Sequence, residues 1–136
     1  MKGLLRVPPN HRSILVADQD REVRGVFVRS LERDGFSVYE AEAGHEVLSF
    51  ARRRLFDILI MEVSLPDLDG VHTLRMIRET IGPVPCILIG AELTKEVWMN
   101  ALTVDAYALL EAPFRGEVVR QTVWDLVRRQ FGPGLG

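Results

Sequence analysis

The stretch FDILIMEVSLPDLDG, from Phe56 to Gly70, decides the fold because it joins a buried strand to a polar loop. Its apolar run, DILIM, is too short for a helix and too uniformly apolar for a strand with one face in water. Glu62 follows at the far end, and a loop marked by proline, aspartate and glycine comes next. Open parallel sheets place their chemistry at the carboxyl ends of strands. The stretch therefore predicts a central strand that ends in a candidate functional carboxylate, Glu62.

Short apolar runs alternate with amphipathic segments on both sides of this strand. Strict alternation predicts a parallel sheet covered by helices on both faces. The second run alternates in polarity like an edge strand, whereas the first and third are nearly all apolar, so we predict the strand order 2-1-3-4-5. The predicted strands are SILVA (13–17), FSVYEA (36–41), DILIM (57–61), PCILIG (85–90) and AYALL (106–110), and the predicted helices span about 20–34, 44–54, 71–80, 94–102 and 116–131.

Length and composition exclude several classes of protein. The 136 residues fit one domain, and we predict a flexible leader over 1–12, a domain over 13–131 and a C-terminal tail over 132–136. The net charge of −2 indicates neither nucleic acid nor a membrane as a partner. The single cysteine, Cys86, excludes an internal disulfide, and no apolar stretch is long enough for a signal peptide or a membrane span. We therefore expect a cytoplasmic protein.

The predicted strand order brings two carboxylates together. It places a topological switch between the first and third strands, so the carboxyl ends of SILVAD and DILIME converge on one crevice. Asp18 and Glu62 should face each other there. Asp20 is the predicted N-cap of the first helix, and Gly35 is the predicted left-handed residue after it. Asp67 and other residues of the loop after Glu62 are read as a turn and cap for the third helix.

Four stretches together resemble the receiver domain of two-component response regulators. They are ILVADQDREVR, FDILIMEVSLPDLDG, VPCILIGAE and DAYALLEAPF, and the resemblance covers roughly Arg12 to Gln130. It implies an α/β, flavodoxin-like (βα)5 fold with a doubly wound parallel five-stranded sheet of order 2-1-3-4-5. In that family, an aspartate at the end of the third strand accepts a phosphoryl group from a histidine kinase.

The chain departs from the family at the positions that perform this reaction. Asp18 keeps the first of two metal-binding acids, but Gln19 replaces the second. Glu62 stands at the phosphoacceptor position, one methylene longer than aspartate. Gly90 replaces the hydroxyl residue after the fourth strand, and Ala112 replaces the lysine before the Pro-Phe pair. The resemblance therefore implies a degenerate pseudo-receiver, in which Glu62 is either a permanent mimic of the phosphorylated state or the result of drift.

No cofactor and no firm metal site are expected from the remaining acidic pocket of Asp18, Gln19 and Asp20. Asp18, Glu62 and the backbone carbonyl of Ser64 are weak candidates for Mg²⁺ or Ca²⁺, because two carboxylates support only loose binding. Flavin mononucleotide is disfavoured, since the loop ADQDREVR is acidic and lacks glycine.

The predicted partner surface lies on the fourth helix and the fifth strand. Trp98, Met99 and Leu102 give the fourth helix more apolar content than one core-facing stripe needs, so these side chains are expected either to contact a partner or to pack in the core. The family's switching aromatic aligns with Leu109. Tyr107, two residues earlier, is expected on the same side of the strand, either as a surface aromatic or packed against a helix.

We therefore expect an atypical, non-enzymatic receiver domain in phosphorelay signal transduction that is not phosphorylated at the usual position. It would act as a protein-interaction module. Its partner would be a histidine kinase or an output protein, and a homodimer through the fourth and fifth helices is compatible with the sequence. The alternative is an altered receiver that still binds Mg²⁺ or a phosphoryl group through Glu62 and Asp18.

Overall fold

The structure is a computed structural model, and it describes residues 12–132. The predicted leader and tail lie outside the described residues, except for Arg12 and Gly132. Five strands and five helices alternate along the chain: β1 (Ser13–Ala17), α1 (Arg21–Arg33), β2 (Ser37–Ala41), α2 (Gly44–Arg52), β3 (Ile58–Glu62), α3 (Gly70–Thr80), β4 (Cys86–Gly90), α4 (Lys95–Thr103), β5 (Ala108–Glu111) and α5 (Gly116–Phe131). Each predicted element is present, with ends shifted by at most two residues.

The strands form one parallel sheet in the order β2-β1-β3-β4-β5, which confirms the predicted topology. In the register of the sheet, Ala17 of β1 pairs with Met61 of β3, and Glu62 of β3 pairs with Ile89 of β4. The carboxyl ends of β1 and β3 therefore lie side by side, and they bring the segments that follow these strands to one edge of the sheet.

Side chains of alternating strand residues build two apolar cores, one on each face of the sheet. Leu15, Leu59 and Leu88 pack on one face with α2, α3 and α4. Ile14 and Ile60, with their neighbours of the same parity, pack on the other face with α1 and α5. These side chains are fully buried, and burial stabilises the fold by about 1.5–3 kcal/mol for each large aliphatic group.

Polar caps and a glycine bound the helices as the sequence predicts. The Asp20 carboxylate accepts a hydrogen bond from the Glu22 amide at 2.9 Å, and Asp69 accepts one from the His72 amide at 2.8 Å. Gly35 has a φ of 99°, which the absence of a Cβ makes accessible. Within the described residues, no helix combines the length and apolar character that crossing a membrane requires.

Tyr107 does not lie where we expected. It precedes β5 and packs against the core formed with α1 and α5, whereas Leu109 packs into the core on the opposite face. The prediction that both side chains share one side of the strand is wrong, because the regular alternation of β5 begins only at Ala108. Tyr107 instead lines a cavity of about 470 Å³ with Phe131, next to the segment that leads into β4.

Candidate functional site

The candidate site lies at the carboxyl ends of β1 and β3, where Asp18 and Glu62 meet as predicted. The Asp18 carboxyl is within hydrogen-bonding reach of the Glu62 carboxyl, and Asp18 is only 5% exposed. The backbone N–H of Gln19 donates to Glu62 Oε2 at 3.3 Å. Two acidic side chains thus share a confined space, and one backbone amide donates a hydrogen bond to Glu62.

This environment changes the protonation of Glu62. Partial burial, followed by the hydrogen bond and the charge of Asp18, raises the pKa of Glu62 from 4.5 to about 7, and the hydrogen bonds from Gln19 oppose the rise. Two negative charges in a partly buried site repel each other more strongly than they would in water. Glu62 therefore holds its proton close to neutral pH, in the form that can donate a hydrogen bond to Asp18.

The candidate metal ligands are engaged in other contacts. The Gln19 side-chain amide donates to the Ser64 carbonyl at 2.8 Å, and Asp20 turns its carboxylate to the start of α1. In residues 12–132, no group of three or more histidine, cysteine, aspartate or glutamate side chains is arranged to hold a metal ion. The chemistry of this donor set fits at most a loosely bound Mg²⁺, which prefers an octahedral shell of oxygen ligands.

Gly90 lies at the carboxyl end of β4, and neighbouring side chains close the space beside it. A Cβ at this position would lie 2.5 Å from Leu93 Cδ2 and 2.8 Å from Val63 Cγ2. The Leu93 amide donates to Glu111 Oε2 at 3.1 Å, which ties the segment after β4 to the end of β5. A hydroxyl residue at position 90 could enter only if Leu93 and Val63 both moved.

Ala112 follows β5 and brings no positive charge to the site. The Ala112–Pro113 peptide bond is cis. The buried cation nearby is instead Arg24 of α1, whose guanidinium donates to the Asp18 carbonyl at 2.7 Å and to Glu40 Oε1 at 3.0 Å. Arg24 thus supports the backbone of the site. This role was not predicted from the sequence, although an arginine within the apolar stripe of α1 was a usable signal.

Asp67 is a second residue with a function that the sequence analysis missed. It was expected to shape the turn before α3, but its carboxylate accepts hydrogen bonds from the Gly44 amide at 2.7 Å and the His45 amide at 3.0 Å, and it pairs with the His45 ring. These bonds hold the pKa of Asp67 well below its usual range. Asp67 therefore caps α2, whose own N-cap residue, Ala43, makes no side-chain cap.

The candidate partner surface on α4 is exposed. Trp98, Met99 and Leu102 are 43%, 57% and 78% exposed, which is unusual for large apolar side chains on one short helix. Tyr107 lies apart from them, in the cavity described above. The structure thus keeps three of the four predicted interface residues together. Trp124 of α5, by contrast, packs on Phe36 and donates its indole N–H to Asp34 Oδ2 at 2.9 Å.

The chain is similar in sequence to known response regulators. The model of the response regulator receiver domain family matches residues 14–123. Response regulator MprA of Mycobacterium leprae is 34% identical over 116 residues, which cover 85% of this chain and 51% of that protein. The DNA-binding transcriptional regulator NtrC of Proteus hauseri is 28% identical over 102 residues, covering 75% and 22%. The chain spans about half the length of MprA, or less in the case of NtrC.

Solved structures show the same fold. A CheY-like response regulator receiver domain protein from Methanospirillum hungatei superposes with a TM-score of 0.84 at 20% identity, covering 88% of this chain and 96% of that one. The receiver domain of the Francisella response regulator 1452 superposes with a TM-score of 0.82 at 24% identity, covering 88% and 99%. At these identities the likeness establishes the fold.

Proposed function

The chain belongs to the response regulator receiver domain family of two-component signalling, and we propose that it is an atypical member that works without phosphorylation at the usual position. In this proposal it is a cytoplasmic, non-enzymatic module over residues 13–131 that binds a protein partner. The observation that carries the proposal is the close pair of carboxyl groups of Asp18 and Glu62, which stands in a site that lacks the family's second acid, hydroxyl and lysine.

The charges around Glu62 support the proposal that it is not phosphorylated. An aspartyl or glutamyl phosphate would bring nearly two further negative charges beside Asp18, and a divalent cation and an ammonium group are the usual means of neutralising them. Gln19 weakens the cation site and Ala112 supplies no ammonium group. The guanidinium of Arg24 is engaged with Glu40 and the Asp18 backbone. Phosphoryl transfer to Glu62 would therefore proceed against uncompensated repulsion.

Sterics support it as well. Glu62 is longer than the aspartate that it replaces, so its oxygens lie displaced from the position suited to in-line attack. Leu93 fills the space beside Gly90 that a hydroxyl side chain would need. These features are compatible with Glu62 as a product of drift, and the raised pKa of Glu62 leaves it with only part of the negative charge that a mimic of the phosphorylated state needs.

The exposed apolar side chains of α4 support a binding role. Large aromatic and thioether side chains are enriched where proteins contact partners, and Trp98 and Met99 are half exposed. The partner in this proposal is a histidine kinase, an output protein or a second copy of the chain, bound through α4 and α5. Tyr107 precedes β5 and lies apart from the exposed side chains of α4. It belongs to this surface only if the partner also contacts the N-terminal end of β5.

Incubation with acetyl phosphate and Mg²⁺, followed by intact-mass measurement, tests the proposal. We expect no stable gain of a phosphoryl group by the natural chain. The matched control is a chain with Q19D, E62D and A112K, which restores both acids, the acceptor and the ammonium group and is expected to gain one. A phosphoryl group on the natural chain that disappears with E62Q would contradict the proposal.

The second candidate function is an altered receiver that still binds Mg²⁺ or a phosphoryl group through Glu62 and Asp18. Its support is the proximity of these two carboxyl groups. Titration with MgCl2, followed by amide NMR, separates the two candidates. Shifts at Asp18, Glu62 and Ser64 that saturate at millimolar Mg²⁺ and vanish in E62Q would favour the second. Unchanged resonances would favour the first.

A further inference from the structure

Helix α4 is held at its two ends more than along its length. Ala101 is its one buried residue, and its outer face exposes Trp98, Met99 and Leu102. Such a helix buries little apolar area of its own, so the segments that flank it decide where its side chains point.

The C-terminal end of α4 is fixed by one arginine of α3. Arg78 donates to the Val104 carbonyl at 2.7 Å, the Asp105 carbonyl at 2.9 Å and the Val84 carbonyl at 2.9 Å. Its guanidinium thus connects the segment after α4 with the segment before β4. Hydrogen bonds from a charged donor are stronger than neutral ones, so this end is firmly placed.

The N-terminal end depends on Leu93, the residue before the N-cap Thr94. The Leu93 side chain packs into the core beside Gly90, in a space that exists because Gly90 has no Cβ. The Leu93 amide donates to Glu111 at the end of β5. Leu93 therefore joins the ends of β4 and β5 to the first turn of α4.

We propose that Leu93 is a positioning residue, which sits in the space left by Gly90 and is held by Glu111, and which thereby fixes the apolar face of α4 in one orientation. The inference deepens the proposed function, since it supplies a way to present the partner surface without phosphorylation. It concerns contacts within this chain, so its test needs neither a partner nor acetyl phosphate. Labelling by acetyl phosphate would overturn the proposed function and leave this test intact.

The test uses Trp98 as a reporter on α4 and Trp124 as an internal reference on α5. Each tryptophan gives one indole N–H peak in the NMR spectrum, and W98F identifies the peak of Trp98. We expect L93A to shift or broaden the Trp98 peak and to raise amide exchange in residues 93–103 at least tenfold, while the Trp124 peak stays in place. L93M, which keeps the volume of the side chain, should give a spectrum close to that of the natural chain.

Two further variants separate positioning from general loss of packing. L110A makes the same change, leucine to alanine, at a similarly half-buried position in the core formed with α1 and α5. It should leave the Trp98 peak and amide exchange in α4 unchanged. G90A should displace Leu93 and reproduce the effect of L93A. Its effect should be smaller in the L93A background, because part of the clash is then absent. Equal changes at Trp98 and Trp124, or fully additive effects, would overturn the proposal.

Discussion

The carboxyl pair at the candidate site predicts that E62Q stabilises the protein at neutral pH. Glutamine keeps the size of the side chain and can still donate a hydrogen bond to Asp18, but it cannot become negative. The pKa of Glu62 is about 7 in the folded protein against 4.5 for an ordinary glutamate. The unfolded chain therefore loses this proton first as the pH rises.

The sign and size of the effect of E62Q on the free energy of unfolding follow from proton linkage. Between about pH 4.5 and 7 the folded state binds more protons at this site than the unfolded state, so the natural chain loses stability as pH rises and the loss levels off above 7. A difference of one in pKa is worth about 1.4 kcal/mol, which sets an upper bound of about 3 kcal/mol. Glu62 is only partly buried and solvent screens it, so we expect about 1–2 kcal/mol.

Urea unfolding at pH 5, 6, 7 and 8 measures this effect. The advantage of E62Q should be small at pH 5 and should grow to its full size above pH 7. The matched control is E32Q on the exposed side of α1, which should show no such trend. An E62Q advantage that is independent of pH, or that grows towards acid pH, would refute the reasoning.

Two further predictions concern contacts of the helices, one between α1 and α5 and one at the start of α3. D34A removes the carboxylate that accepts hydrogen bonds from Arg120 and Trp124, and it should lower the free energy of unfolding by about 1–3 kcal/mol and shift the Trp124 fluorescence. Unchanged stability would show that these bonds contribute nothing. G70A places a Cβ 2.5 Å from the Glu62 carbonyl oxygen, so it should cost about 2 kcal/mol or more in unfolding experiments, and a stability equal to the natural chain would contradict the close approach.

The fold was predictable because its signals are local. Uniformly apolar runs and amphipathic segments alternate strictly, and the near-absence of polar residues in β1 and β3 was enough to place them at the centre of the sheet. The meeting of Asp18 and Glu62 follows from the same reasoning, since adjacent parallel strands end at one edge.

The remaining features depend on contacts between distant segments. Asp67 looked like a turn residue, but its partners are 22 and 23 residues away on α2. Gly90 looked like a lost hydroxyl, and only the structure shows Leu93 beside it. Tyr107 was misplaced because it lies before the first residue of β5, so the alternation of the strand does not extend to it. Single-sequence patterns contain no information on these pairings.

Arg78 gives α4 a mechanical asymmetry. The C-terminal end of the helix is bonded through backbone carbonyls to a charged group, whereas the N-terminal end is held by the hydrogen bond from Leu93 to Glu111 and by the packing of Leu93 and Val97. Because the C-terminal end is the more strongly bonded of the two, we expect α4 to lose its contacts first at its N-terminal end. A partner bound to Trp98 would therefore act first on the contact between Leu93 and Glu111. Through Glu111 its binding would reach β5, the edge strand of the sheet.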